Sequence, residues 1–156
     1  MNAFETTELD VSGTGVAPEQ RQLEELTPAQ ALGLLASVPF GRIVFTDRAL
    51  PAIRPVNHLV DGGSIVIRTD LRAAVTRSTG PTGAVVAYEA DEIDPIGRVG
   101  WSVVVTGFAR LVTDPDEIDR YHRLLVPWIG DGKDSVIRIH PEIVNGYRLG
   151  EPPPAA

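Results

Sequence analysis

The residues best able to do chemistry lie close together in the first half of the chain. One stretch places a cation, a proline, an amide and an imidazole within five positions, as Arg54, Pro55, Asn57 and His58. A half-buried strand ordinarily alternates apolar and polar residues and carries few reactive groups. A second stretch ends in Arg68 and Thr69, and both side chains donate hydrogen bonds that suit the oxygens of a phosphate. Together the two stretches predict a β-barrel that holds a phosphorylated, flat cofactor.

Any phosphate has to be held by side chains, because the chain has no glycine-rich loop of the G-x-G-x-x-G or G-x-x-x-x-G-K-[ST] type. The candidate donors are Arg68 and Thr69, followed by Arg72 and Arg77 on a predicted short helix. In the alternative interpretation, these arginines only keep an exposed helix and strand end soluble. The residue chemistry by itself leaves both interpretations open.

Histidine and serine patterns argue against other kinds of active site. The three histidines show no spacing typical of metal ligands, so no metal is predicted. Hydrolysis is not predicted either, since there is no G-x-S-x-G motif and no cysteine. His58 is the one candidate for proton delivery, because an imidazole titrates near neutral pH.

Two tryptophans have competing interpretations. Trp101 begins an apolar strand beside Ser102, where a tryptophan packs in a core or a subunit interface more often than it contacts a cofactor. Trp128 follows Pro127 and is expected at the surface, as a clamp over the barrel or as a subunit contact.

The composition is that of a globular protein with an acidic balance. The 156 residues carry a formal charge of −7, are 43% hydrophobic and include no cysteine. The charge argues against binding nucleic acids or anionic membranes, and the sequence shows neither a signal peptide nor a membrane-spanning apolar run. We therefore expect a cytoplasmic protein. The predicted organisation is a mobile acidic tail over residues 1–24, one folded domain over residues 25–149 and a proline-rich tail over residues 150–156.

Local patterns predict a meander of strands with helices at its margins. Helix starts with capping boxes are predicted at Thr27–Gln30 and Asp114–Glu117. Strands are predicted over Arg42–Thr46, Ala52–Val60, Ser64–Thr69, Ala84–Glu89, Trp101–Val112, Ser135–His140 and Ile143–Leu149. A short helix over residues 71–77, a loop over 78–83, an acidic loop over 91–97 and a break at Pro141 separate some of them. This order predicts an α+β domain built on an antiparallel β-barrel.

Four segments together resemble the pyridoxamine 5′-phosphate oxidase-like family of FMN-binding split barrels. They are GRIVFTDRALPAIRPVNHLVDGGSIVIRT, VVAYEADEID, GWSVVVTGFARLV and PEIVNGYRL. RPVNHLVDGG and GWSVVVTG are fairly specific in combination, and the resemblance covers residues 26–149. It is strongest to the small single-domain actinobacterial branch, whose relatives include nitroimidazole-resistance-type flavoproteins.

The resemblance implies an antiparallel split β-barrel with flanking helices that forms a homodimer with two FMN sites at the subunit interface. It also implies the residues around the flavin. Arg54, Pro55, Val56 and Asn57 run along the ring. Ile67, Arg68 and Thr69 reach toward the phosphate, with Arg72 and Arg77 beyond them. Trp101 and Ser102 approach the flavin, either within the same subunit or from the partner subunit.

One position departs from the family pattern. Many relatives carry a phosphate-contacting lysine on the short helix, and Ala74 stands at that position here, flanked by Arg72 and Arg77, which differ from lysine in reach. FAD, the deazaflavin F420 and heme therefore stay open beside FMN. The predicted function is a flavin-dependent oxidoreductase acting on an unknown planar small molecule. The alternatives are an F420-dependent reductase, a non-catalytic flavin- or heme-binding module, or an interaction domain that has lost its cofactor.

Overall fold

The structure, a computed structural model, describes residues 21–71, 83–128 and 135–150. Within these ranges the elements are β1 (Gln22–Glu25), α1 (Pro28–Ser37), β2 (Phe40–Asp47), β3 (Leu50–Asp61), β4 (Ser64–Thr69), β5 (Ala84–Asp94), β6 (Val99–Leu111), α2 (Pro115–Leu124) and β7 (Ser135–Gly150). The helix predicted over residues 71–77 and the loop predicted over 78–83 lie almost wholly outside the described residues.

The strands close into a ring. All pairings are antiparallel, in the order β1-β7-β4-β3-β2-β5-β6, and β6 pairs again with β7. Strand β3 divides between two neighbours, because residues 50–57 pair with β2 and residues 58–61 pair with β4. The predicted fold class, an α+β antiparallel split β-barrel with flanking helices, is confirmed.

The capping box predicted for α1 is complete, whereas only one of the two hydrogen bonds predicted for α2 is present. Thr27 accepts a hydrogen bond from the Gln30 N–H at 3.3 Å, and the Gln30 side chain accepts from the Thr27 N–H at 2.9 Å. This capping box satisfies N–H groups that have no partner inside α1. At α2, Asp114 accepts from the N–H two residues on. The predicted reciprocal bond is absent there, because Glu117 instead accepts from Arg138 at 2.8 Å.

Two predicted interruptions are wrong. Residues 91–94 were expected to be part of an acidic loop, but they continue β5 and pair with residues 99–102 of β6. Pro141 was expected to break the last strand, but β7 runs through it as 16 residues. Gly107 opposes Pro141 and Thr106 opposes Ile143, which leaves Glu142 as the extra residue of a bulge. The ladder is interrupted at a bulge, so the missing N–H of the proline is tolerated there.

Strand β1 begins inside the segment predicted as a tail. Residues 22–24 pair with residues 148–150 of β7, and every side chain of β1 is exposed. Because none of its side chains is buried, β1 has no apolar pattern that could reveal it in the sequence. The next residue, Leu26, is buried, and its N–H donates to the Gly146 carbonyl at 2.8 Å.

The barrel has one main core and a smaller outer layer. The main core contains the fully buried Ile43, Ile65, Ile67 and Tyr88 and lies partly under α1. On the outside, α2 packs against Val66 and Val136 of the sheet through Tyr121. Alternate side chains of β4 thus serve the two layers, as the pleat of a strand requires. No helix within the described ranges is long and apolar enough to cross a membrane.

Candidate functional site

The first half of β3 has an unpaired edge within the described ranges. His58 N–H donates to the Pro39 carbonyl at 3.1 Å, and because hydrogen-bonded pairs alternate in an antiparallel ladder, the even-numbered residues of β3 bond β2. The odd-numbered residues point to the opposite edge, where β4 pairs no further back than His58. Pro51 and Pro55 occupy such positions, where a missing N–H breaks no ladder bond. This edge offers backbone donors and acceptors to a ligand.

Arg54 lies beside the end of β4. Its guanidinium forms a 2.7 Å ion pair with Asp70, the residue after Thr69, and lies 5.7 Å from the centre of the Phe45 ring. Both partners of the ion pair are exposed, and exposed pairs contribute only about 0–1 kcal/mol. Arg54 can therefore exchange the carboxylate for a phosphate at small cost.

Arg68 has intramolecular partners at the end of α2. Its Nη1 donates to the Leu125 carbonyl at 2.8 Å and lies 3.5 Å from the His122 carbonyl. The last carbonyls of a helix have no partner within the helix and carry the negative end of its dipole. Arg68 thus caps α2, and it does so with one of the groups that was predicted to bind a phosphate.

The Asn57 side chain also has intramolecular partners, in the segment that follows α2. It is 8% exposed; its amide donates to the Val126 carbonyl at 2.9 Å, and its carbonyl oxygen accepts from the Trp128 N–H at 3.4 Å. The Trp128 ring lies 5.4 Å from the ring of Phe40, which is the β2 residue paired with Asn57. The segment after α2 therefore lies over the β3 edge.

His58 points the other way, toward the core. Its Nε2 lies 2.7 Å from the Leu35 carbonyl of α1, and its Nδ1 lies 2.7 Å from the Tyr88 hydroxyl. Burial lowers the pKa of His58, and the bond to Leu35 opposes that shift; burial likewise raises the pKa of Tyr88. The ring is therefore neutral at pH 7, and the Leu35 carbonyl, which can only accept, assigns its proton to Nε2. Nδ1 then accepts from the Tyr88 hydroxyl, which also lies 3.0 Å from the Val56 carbonyl.

The other residues predicted to contact the flavin ring or its phosphate differ in how accessible they are to a ligand. Ile67 is fully buried in the core, so only its backbone could reach a ligand. Val56 is half-buried against the same core, Pro55 is exposed, and Thr69 is half-buried at the strand end. Arg72 and Arg77, with Ala74 between them, lie outside the described residues.

Trp101 and Ser102 lie on a different part of the barrel. They are on β6, which β5 and β2 separate from β3 along the sheet. They line an apolar cleft of about 210 Å³ together with Leu23 and Tyr147. The structure thus brings Arg54–Asn57 and Ile67–Thr69 together but does not place Trp101 beside them within one chain.

Two features of this region were not predicted. The first is the hydrogen bond between Tyr88 and His58. The sequence does hint at it, because a tyrosine inside an apolar run such as AVVAYE is expected to be buried, and a buried hydroxyl needs a partner. The contacts of Asn57 and Arg68 with residues 125–128 have no local signal, because they span 57 to 71 positions of sequence. In the described part of the chain no three His, Asp or Glu side chains come together in a way that could hold a metal.

Comparison with known proteins places the chain in a family. The model of a family described as pyridoxamine 5′-phosphate oxidase matches residues 27–148, and the chain belongs to this family. The uncharacterized protein Rv0080 of Mycobacterium tuberculosis is 55% identical over 132 residues, which are 83% of this chain and 87% of that protein.

Solved structures agree with this assignment. A candidate pyridoxamine 5′-phosphate oxidase from Corynebacterium glutamicum is 34% identical with a TM-score of 0.70, over 84% of this chain and 96% of the other. The FAD binding protein from Mycobacterium smegmatis is 32% identical with a TM-score of 0.65, over 81% of this chain and 98% of the other. The resemblance drawn from the sequence is confirmed.

Proposed function

We propose that the protein binds a flavin along the unpaired edge of β3, with the phosphate toward Arg54, Arg68 and Thr69. The observation that carries the proposal is the unpaired edge of β3 next to the end of β4, with Arg54 on the core side of the sheet and Arg68 on its outer side. The edge offers donors and acceptors to the heteroatoms of a flat ring, and guanidinium groups form strong hydrogen bonds to phosphate. The similarity to the FAD binding protein from Mycobacterium smegmatis supports a flavin over other phosphorylated rings.

FMN is the flavin we propose. Its terminal phosphate carries close to two negative charges at neutral pH, as other phosphate monoesters do, and Arg54 with Arg68 supplies two positive charges. FAD is the alternative, because the similar protein from Mycobacterium smegmatis is an FAD binding protein. F420 is a further alternative that the sequence left open, and separate loading with each ligand distinguishes the three.

We propose that a second copy of the chain completes the site. Trp101 and Ser102 can approach a ring bound at β3 from another subunit. An apolar row crosses the outside of the barrel through the paired residues Ile53, Val44, Ala87, Thr106 and Ile143. Ile53 is 61% exposed and Ile143 is 55% exposed, and contiguous exposed apolar surface is typical of subunit contacts. The row therefore supports a homodimer.

The activity we propose is oxidoreduction of a planar small molecule. The flavin, when bound, supplies the redox chemistry, and the chain binds and orients it. His58 was the hypothesis for proton delivery, but its buried ring has partners on both nitrogens. We therefore propose a structural role for His58, holding α1 against β3.

A specific observation favours a second function, a flavin- or heme-binding module without turnover. Among the predicted site residues that the structure describes, His58 is the one with an imidazole, the usual proton carrier at neutral pH. It faces the core, and burial lowers its pKa. Consumption of reduced nicotinamide by the loaded protein, with an electron acceptor present, separates this module from an oxidoreductase.

The test begins with absorbance spectra of the purified protein before and after incubation with FMN, FAD or F420 and removal of free ligand. Retained flavin bands at one ligand per chain support the proposal. Protein absorbance alone after all three incubations overturns it. The mass of the particle in solution, measured on the same samples, tests the homodimer.

A further inference from the structure

Residues 125–128, which we name the strap, run from the end of α2 across the outer surface of β4, β3 and β2. Arg68 donates to the first carbonyl of the strap and Asn57 to the second. The last residue, Trp128, returns its N–H to Asn57 and packs its ring on Phe40 of β2. The strap thus engages two of the side chains assigned to the flavin.

A phosphate and the strap compete for Arg68 on electrostatic grounds. The Leu125 and His122 carbonyls next to the guanidinium carry the partial negative charge of a helix carboxyl terminus. A phosphate oxygen brought to the same N–H group would face these carbonyl oxygens, and like charges at hydrogen-bond distance repel. A phosphate oxygen and the Leu125 carbonyl cannot both accept the same Nη1 hydrogen.

Competition for Asn57 is steric. Its side chain is 8% exposed because the strap covers it, and its amide N–H and its carbonyl oxygen are both engaged by strap backbone. A ring that contacts the Asn57 side chain therefore has to displace Val126 and Trp128.

Little apolar burial holds the strap down. Val126 is 68% exposed and Trp128 is 64% exposed, whereas the preceding Leu125 is 5% exposed. Residues 126–128 are therefore fastened by their hydrogen bonds to Asn57 and one ring contact. Leu125 is held by burial and keeps its bond to Arg68. A segment fastened in this way opens at far lower free energy than the core.

We propose that the strap is an autoinhibitory contact: when closed, its residues 126–128 occupy Asn57, and a flavin binds along β3 only after these residues open. This inference rests on the proposed function. The apparent affinity for flavin is then the intrinsic affinity multiplied by the small fraction of molecules with the strap open. Any change that loosens the strap without touching the flavin site increases flavin affinity.

The test measures FMN dissociation constants by equilibrium dialysis for the full chain and three variants. Trp128→Ala removes the ring contact and is expected to tighten FMN binding by about three- to tenfold, the effect of losing one aromatic pair. Trp128→Phe keeps a ring and is the matched control, with an affinity close to that of the wild type. Pro127→Gly loosens the strap through backbone entropy and is expected to tighten binding by about two- to fivefold.

The outcomes separate the two proposals. Tighter binding by both loosened variants, with circular dichroism showing that they are folded, supports the strap. Equal or weaker binding by folded Trp128→Ala overturns the strap and leaves flavin binding standing, because Trp128 is then neutral or a wall of the site. Absence of FMN and FAD binding in the wild type and in all three variants overturns the proposed function, and the competition with it.

Discussion

His58 and Arg68 lie on paired strands, and each contacts the carboxyl-terminal end of a different helix. His58 Nε2 bonds the Leu35 carbonyl of α1 at 2.7 Å, and Arg68 Nη1 bonds the Leu125 carbonyl after α2 at 2.8 Å. In the ladder His58 opposes Ile67, the neighbour of Arg68. Helix ends need such donors because their last carbonyls have none of their own. The β3–β4 hairpin therefore fastens both helices to the barrel.

The stability of the protein should depend on pH through His58. Burial lowers its folded-state pKa below the ordinary value of 6.5, so between these two values the unfolded chain binds more protons. The free energy of unfolding then rises with pH in this window, and the contribution is lost as pH falls from 6.5 toward the folded pKa. Urea unfolding of the wild type and of His58→Gln, from about pH 7 to about pH 5, should show a steeper decline for the wild type. Parallel declines would contradict this.

Tyr88→Phe should destabilise the fold. The change removes the hydroxyl that lies within hydrogen-bond distance of both Nδ1 of His58 and the Val56 carbonyl. A buried acceptor left without a partner costs about 1–3 kcal/mol. Tyr147→Phe is the matched control, because Tyr147 is 41% exposed and water can replace its hydroxyl bonds. Denaturant unfolding at pH 7 measures both, and similar small effects would show that the His58–Tyr88 bond adds little.

Elements with strong local chemistry were predictable from the sequence. The Thr27–Gln30 capping box, the glycine turn at residues 62–63 with positive φ at both positions, and the apolar strand β4 all follow patterns that a few neighbouring residues determine. The family was likewise predictable, because it depends on specific segments such as RPVNHLVDGG and GWSVVVTG.

Features set by distant partners were not predictable. Residues 91–94 are acidic and exposed, yet they form a strand because β6 lies beside them. The whole of β1 is exposed and depends on β7. At the candidate site, sequence chemistry selected Asn57 and His58 as polar groups for a ligand, and their internal partners emerge only when residues 69 and 23 positions away fold against them.

The β2–β3 hairpin offers a stabilising substitution. Arg48 and Ala49, its two central residues, have φ values of 51° and 65°, a left-handed conformation that penalises any residue with a Cβ. Ala49→Gly should raise the free energy of unfolding by about 0.5–1 kcal/mol. The same change at the exposed helical Ala36 should lower it by a similar amount. A thermal midpoint that falls in both variants would show that the turn is not strained.

Arg68→Ala should weaken flavin binding strongly. It removes a charged donor from the phosphate site, an interaction of about 1.5–3 kcal/mol, or roughly ten- to hundredfold in the dissociation constant. Release of the strap offsets only a part of this loss. Arg123→Ala removes the same charge from an exposed position on α2 and should leave affinity unchanged. Equal affinities of the two variants in equilibrium dialysis would remove Arg68 from the site.

Strand β7 has a consequence for how the chain is made. It pairs with β1, β4 and β6, and it is the last element of the described fold to leave the ribosome. Until it emerges, three strands present bare edges, and such edges recruit other chains. The barrel therefore closes only after β7 has emerged, and the pairing of β7 with β1 joins residues more than a hundred positions apart. A nascent chain of this protein is an expected client of ribosome-associated chaperones.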